Sequence, residues 1–75
     1  MMQKLETILG GTFRMPAEKI TDGLSMKNLE IWDSLMHMNL IMSLEEVYGI
    51  ELSMDEIMSM KDVATIRKII AEKVG

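Results

Sequence analysis

The sequence predicts an all-α protein, a small four-helix bundle of three main helices and one short helix, with a long first loop. Apolar residues recur three and four positions apart along most of the chain, and no segment keeps the two-residue alternation of a strand. Helix-capping residues divide the chain into helix-length segments. A chain of 75 residues has room for a single domain, residues 1–75, with a thin core.

The first helix is predicted over residues 3–12. Its apolar face consists of side chains three, four and eight positions from the first of them: Leu5, Ile8, Leu9 and Phe13. Gly10 and Gly11 follow, and each glycine costs about 1 kcal/mol inside a helix. We therefore expect the two glycines to mark fraying or the end of this helix.

A long connection is predicted over residues 14–32, beginning near Met15, which precedes Pro16 and is biased away from helix. Regularly placed apolar residues interrupt it: Ile20, Leu24, Met26, Leu29 and Ile31. We expect these side chains to hold the loop across the core. Loops of this length are uncommon in compact domains and are often functional.

The second helix is predicted from Ser34 to Tyr48, with Gly49 as its terminator. A helical wheel places one apolar group on the core face: His37, Leu40, Ile41, Leu44, Val47 and Tyr48. A second apolar stripe lies on the opposite side, mixed with polar residues: Leu35, Met38 and Met42, with Asn39 and Glu46. Periodicity alone leaves two alternatives, an exposed surface that binds a protein partner or a stripe covered by the loop or another helix.

Two further helices follow. Ser53 and Glu56 fit a capping box and predict a short helix that ends near Met60. Asp62 is placed to cap the last helix, whose C-terminal end carries Lys73. The apolar face of that helix is expected to be Val63, Ile66, Ile69 and Ile70.

The composition of the chain limits the classes of partner and site that it can have. The net charge of −4 disfavours nucleic acid as a partner and favours proteins with basic surfaces. Cysteine is absent, so neither disulfides nor thiolate metal sites are expected. No segment approaches the roughly 20 apolar residues of a membrane span, and the N-terminus does not resemble a signal peptide. We expect a cytoplasmic location.

The start of the second helix is the candidate chemical site. Asp33 is a suitable N-cap, which places Ser34 in the first turn with its hydroxyl toward solvent. Helix N-termini offer unpaired N–H groups and a partial positive charge, so a phosphate on Ser34 would be well placed. The alternative is an ordinary cap without chemistry, because such caps are common.

Asp33-Ser34-Leu35, followed after an apolar helical stretch by L-E-E-V-Y-G-I-E-L at 44–52, resembles the acyl carrier protein family. The resemblance covers essentially the whole chain, including residues 60–63. It implies a four-helix carrier on which Ser34, with Asp33 and Leu35 as its motif, receives 4'-phosphopantetheine from coenzyme A. A phosphopantetheinyl transferase would attach this arm, and the arm's thiol would hold acyl groups as thioesters. Such a chain is not an enzyme but a substrate, here expected to be a monomer, for acyl-loading and acyl-transfer enzymes.

The resemblance also indicates a partner-binding face made of Leu35, Met36, Met38, Asn39, Met42, Glu45 and Glu46. Met36 and Asn39 stand where fatty-acid carriers usually have acids, and Trp32 replaces a small residue. We therefore expect a specialised stand-alone carrier in a lipid, polyketide or surface-glycan pathway. The alternatives are a peptidyl or aminoacyl carrier, which would typically have glycines and often histidine before the serine, and a non-catalytic helical adaptor.

A hydrolase with Ser34 as nucleophile and His37 as base is disfavoured. The two residues lie one turn apart, but the sequence supplies no orienting group for the base and no oxyanion site. His37 also lacks companions for a metal site. We expect His37 at the edge of the core, with its ring nitrogens bonded to backbone or water.

Overall fold

The computed structural model describes residues 4–74, and in that range it is all-helical apart from one isolated β-bridge between Ser25 and Asp62. Four α-helices and one 3₁₀ helix follow in chain order: α1 Leu5–Phe13, the 3₁₀ helix Ala17–Lys19, α2 Ser34–Tyr48, α3 Met54–Ser59 and α4 Val63–Val74. The predicted fold of three main helices and one short helix with a long first loop is confirmed. In this part of the chain, no helix is long and apolar enough to cross a membrane.

The end of α1 differs from the prediction. Its predicted start at Gln3 lies outside the described residues. Its end, predicted at residue 12, lies one residue later at Phe13. The expectation that Gly10 and Gly11 mark fraying or the end of the helix was wrong, because α1 continues through both. The helix ends at Arg14, whose φ of 59° is left-handed and whose N–H donates to the Gly10 carbonyl.

Gly10 has a packing role that explains its place inside the helix. It is buried, and a Cβ built on it would lie 2.7 Å from the carbonyl oxygen of Met15. The returning chain also donates the Met15 N–H to the Gly10 carbonyl at 2.9 Å. A side chain at Gly10 would push this turn away, whereas a Cβ on Gly11 would meet only open space.

The long loop crosses the core as predicted. Ile20 is buried, and Leu24, Met26 and Leu29, which were predicted with it, pack partly buried against the core. Ile31, which we expected to pack with them, is 40% exposed. The turn that buries the neighbouring Trp32 leaves Ile31 on the outside of the loop.

Hydrogen bonds and ion pairs fix the path of this loop. The Met26 N–H donates to the Lys61 carbonyl at 3.0 Å, and the Val63 N–H donates to the Leu24 carbonyl at 2.9 Å. Arg67 on α4 contacts Asp22 at 3.0 Å and also pairs with Glu6 on α1. The loop is therefore attached both to the α3–α4 connection and to α4.

The core contains side chains from all the main elements. Its largest fully buried members are Trp32 and Phe13, whose ring centroids lie 5.0 Å apart. From α2 the core receives Leu40, Ile41, Leu44 and His37. Val47, which was predicted to join them, is 38% exposed, so that prediction was wrong. It faces a groove between α1 and α2 where Gly11 offers no side chain to cover it.

The predicted caps are confirmed. Gly49 ends α2 with a φ of 64°, and Ser53 and Glu56 form the complete capping box of α3. The Asp62 carboxylate accepts from the Thr65 N–H at 2.7 Å at the start of α4. This backbone hydrogen bond holds the pKa of Asp62 below its usual range. The Ser53 N–H lowers the pKa of Glu56 in the same way, helped by Lys73 at 3.0 Å.

The two neighbouring glycines of α1 provide a matched test of this packing. Gly10→Ala should lower the free energy of unfolding by about 1–3 kcal/mol, since its Cβ meets the backbone of Met15. Gly11→Ala should raise that free energy by up to about 1 kcal/mol, because alanine favours helix and the position is open. Urea unfolding measures both, and equal effects of the two substitutions would contradict the close approach at Gly10.

Candidate functional site

Ser34 is the first residue of α2 and lies at the surface. Its hydroxyl makes no hydrogen bond to any other residue in 4–74. A serine hydroxyl free of protein partners and open to solvent can be reached by a second protein. The structure therefore shows an accessible hydroxyl at the start of α2.

Asp33 determines where α2 begins. Its backbone is extended, and its side chain accepts from the Met36 N–H at 2.9 Å. Its carbonyl accepts from the His37 N–H at 2.8 Å, the first bond of the helical ladder. The predicted N-cap is confirmed, and it fixes Ser34 in the first turn of the helix.

The position of Ser34 suits an anionic substituent. The first turn of a helix presents backbone N–H groups without intrahelical partners and carries a partial positive charge. Asp33 occupies only one of these N–H groups, that of Met36. A phosphodiester on the Ser34 hydroxyl would lie next to this positive end, so the residues present fit such a group.

Two side chains close to Ser34 in the sequence, Trp32 and His37, are joined by a buried hydrogen bond. Trp32 is 2% exposed, and its indole N–H donates to Nδ1 of His37 at 3.0 Å. Nε2 of the same imidazole lies 2.8 Å from the carbonyl oxygen of Ile57 on α3. Since a carbonyl only accepts and an indole N–H only donates, the imidazole carries its single proton on Nε2.

This connection tests what was expected of His37. The ring lies at the core edge and one nitrogen bonds backbone, as predicted, while the other meets Trp32 instead of backbone or water. Both nitrogens are therefore occupied, and neither is available as a base for Ser34. Sequence reasoning missed the pairing of Trp32 with His37. The available signal was a tryptophan just before the cap and a histidine on the core face one turn later.

An apolar cleft of about 300 Å³ opens beside Ser34, between α2 and α3. The exposed Lys61 lies at its rim. Four of its eight lining residues are methionines, and the other four are their neighbours: Met26, Met38, Met54 and Met58, with Ser34, His37, Ile57 and Lys61. Methionine is flexible and polarizable, so such a lining adapts to ligands of different shape.

The second apolar stripe of α2 is exposed, so the alternative in which the loop or another helix covers it was wrong. Leu35 is 74% exposed, Met38 48% and Met42 63%. On α3, Met54 at 68% and Met58 at 63% continue the apolar surface across the cleft. We call these five side chains the methionine face. A large exposed apolar surface is typical of a protein-binding site.

The other residues predicted to bind partners occupy different environments. Asn39 and Glu46 are exposed, whereas Met36 is half-buried and packs against the core. Glu45 is also half-buried, and its carboxylate accepts from the Leu52 N–H at 2.9 Å, so it braces the loop after α2.

A second groove of about 540 Å³ lies on the other side of α2, against α1. Small and polar side chains line most of it: Thr7, Gly11, Thr12, Asn39 and Ser43, with Ile8, Arg14, Met36 and Val47. The exposed ridge of α2 therefore separates an apolar cleft beside Ser34 from a more polar groove. Among residues 4–74 there is no cluster of three or more side chains that could hold a metal ion.

Comparisons with known proteins agree with this geometry. Residues 3–73 match the family described as "Phosphopantetheine attachment site". The solution structure of a holo acyl carrier protein from Geobacter metallireducens superposes with a TM-score of 0.84 at 33% sequence identity. That match covers 93% of this chain and 80% of the other. A search of curated proteins found no match.

Proposed function

The chain belongs to the acyl carrier protein family, whose members bear covalent 4'-phosphopantetheine, and from this premise we propose that Ser34 is the residue that carries the arm. The observation that supports this assignment is the exposed hydroxyl of Ser34, which bonds to no other described residue and lies at the N-terminus of α2, directly after the Asp33 cap. Asp33 and Leu35 complete the motif around it.

The arm's terminal thiol supplies the chemistry, holding an acyl group as a thioester. This chain's residues have a different task, which is to present the arm to other proteins. A phosphopantetheinyl transferase attaches the arm from coenzyme A, and acyl-loading and acyl-transfer enzymes then act on the loaded carrier. In this proposal the carrier works as a monomer. A helical adaptor that only binds partner proteins would not require the arm.

Partner enzymes dock on the methionine face and the polar residues beside it. This face adjoins Ser34, so an enzyme bound to it lies next to the base of the arm. From Ser34 to Leu44, α2 contains no Asp, Glu, Lys or Arg, and its acids begin only at Glu45. Apolar contact therefore contributes more to docking here than long-range charge attraction.

This uncharged stretch supports a specialised role in a lipid, polyketide or surface-glycan pathway. Complementary charge sets encounter rate and partner choice, while each exposed ion pair contributes only about 0–1 kcal/mol. A carrier without acids at Met36 and Asn39 would meet enzymes selected for an acidic helix less often. Its own enzymes would recognise the methionine face instead.

Ser34→Ala tests the attachment site. The variant should fold normally, because the Ser34 side chain is exposed and its hydroxyl bonds to no other residue in 4–74, yet it should gain no phosphopantetheine from coenzyme A and a transferase. Intact mass spectrometry measures the gain. Ser43→Ala, on the same helix, is the matched control and should be modified like wild type. Modification of Ser34→Ala at the wild-type rate would refute the assignment.

Asn39→Glu tests the specialised role. The holo-protein should be a poor substrate for the fatty-acid synthase enzymes of its own cell, and this exposed substitution should improve the rate by restoring an acid. Adding Met36→Asp should help further if the fold is retained, which circular dichroism checks because Met36 packs against the core. If acyl chains on the wild-type holo-protein are elongated as fast as on the cell's fatty-acid carrier, specialisation is excluded.

A further inference from the structure

Helix α3 is weakly anchored for an element that carries part of the methionine face. It has six residues, and within this described helix no side chain is fully buried. Ile57 is half-buried, and the flanking Leu52 and Met60 are the nearest members of the core. The Glu56–Lys73 pair at 3.0 Å is at the surface, where ion pairs contribute little. Short elements with few buried contacts open locally more readily than the core does.

A partly buried hydrogen bond connects α3 to α2. The Ile57 carbonyl lies in the last turn of α3, where carbonyl groups lack intrahelical partners. Within the described chain it accepts from the Met60 N–H at a long 3.4 Å and from His37 Nε2 at 2.8 Å. The imidazole is held in turn by the indole of Trp32, with the two rings stacked at a centroid distance of 6.1 Å.

We propose that His37 is a positioning residue whose hydrogen bond to the Ile57 carbonyl, here called the latch, holds α3 against α2. The latch thereby keeps the α2 and α3 parts of the methionine face side by side next to Ser34. Met54 and Met58 belong to α3, whereas Met38 and Ser34 belong to α2, and all four line the same cleft. Without the latch, α3 moves relative to the attachment serine, and a docking enzyme must first bring the two halves of its surface together. The effect on docking rests on the proposed function, whereas the latch itself does not.

The two hydrogen bonds of the ring can be separated by substitution. The side-chain amide of asparagine reaches the position of Nδ1, and its oxygen can accept from the Trp32 indole. The amide of glutamine reaches the position of Nε2, and its N–H can donate to the Ile57 carbonyl. His37→Asn therefore removes the bond to α3 and keeps the bond to Trp32, whereas His37→Gln does the reverse.

Amide hydrogen exchange of the unmodified protein, followed by NMR, tests the latch directly. In His37→Asn, exchange at residues 57–60 should accelerate about five- to tenfold, the change expected for one lost hydrogen bond. The Trp32 indole N–H should remain protected in that variant. In His37→Gln, residues 57–60 should exchange at nearly the wild-type rate, and the indole N–H should lose protection. Amides of α1 and α4 serve as the control for global stability.

Transferase kinetics then test whether the latch positions the site. His37→Asn should raise the KM for the carrier several-fold at unchanged kcat, since the surface must be assembled on docking, and His37→Gln should restore the wild-type KM. The inference is overturned by equal exchange in the two variants, by acceleration shared with α1 and α4, or by an unchanged KM in His37→Asn. Wild-type protein that accepts no arm would instead refute the proposed function, while the exchange comparison still decides the latch.

Discussion

The bundle has room for only one face of α2, and the rest of the structure depends on this constraint. A chain of this length buries a smaller share of its surface than a larger domain does. The side chains that α2 buries include Leu40, Ile41 and Leu44, all at most 2% exposed. Because α2 is apolar on its other side as well, Leu35 and Met42 must stay in water at 74% and 63% exposure. The apolar area that the fold cannot bury is the area through which we propose that enzymes recognise the carrier.

Two neighbouring residues fix the beginning of α2, the buried Trp32 and the N-cap Asp33. Trp32 is inserted into the core against Phe13, which stops the long loop at a defined point. Asp33 then caps the helix, so Ser34 occupies its first turn with an exposed side chain. A buried anchor, a cap and an exposed serine in consecutive positions place the proposed attachment point on a rigid helix while leaving its hydroxyl accessible.

The features that could be predicted from the sequence are those set by short-range chemistry. The end of α2 at Gly49, the Ser53–Glu56 capping box and the Asp62 cap each involve groups no more than five positions apart, and all were predicted correctly. The exposure of the second stripe of α2 could not be predicted from short-range chemistry. Periodicity separates the two faces of a helix but does not say which neighbouring elements cover each face.

What could not be predicted depends on contacts between distant segments. The bond from His37 to the Ile57 carbonyl joins residues 20 positions apart, and no local pattern indicates it. Gly10 stays helical because the returning chain at Met15 packs against it, which overrides the low helix propensity of glycine. Val47 has the right period for the core, but it lines the groove between α1 and α2 and stays 38% exposed.

The division of α2 into a folding face and a recognition face is the central claim, and one pair of substitutions tests it most directly. Leu44→Ala and Met42→Ala lie two positions apart on the same helix, at 0% and 63% exposure. Urea unfolding should show a loss of about 2–5 kcal/mol for Leu44→Ala. Met42→Ala should lose less than about 1 kcal/mol, since its side chain is mostly in water already. Equal losses in the free energy of unfolding would contradict the account.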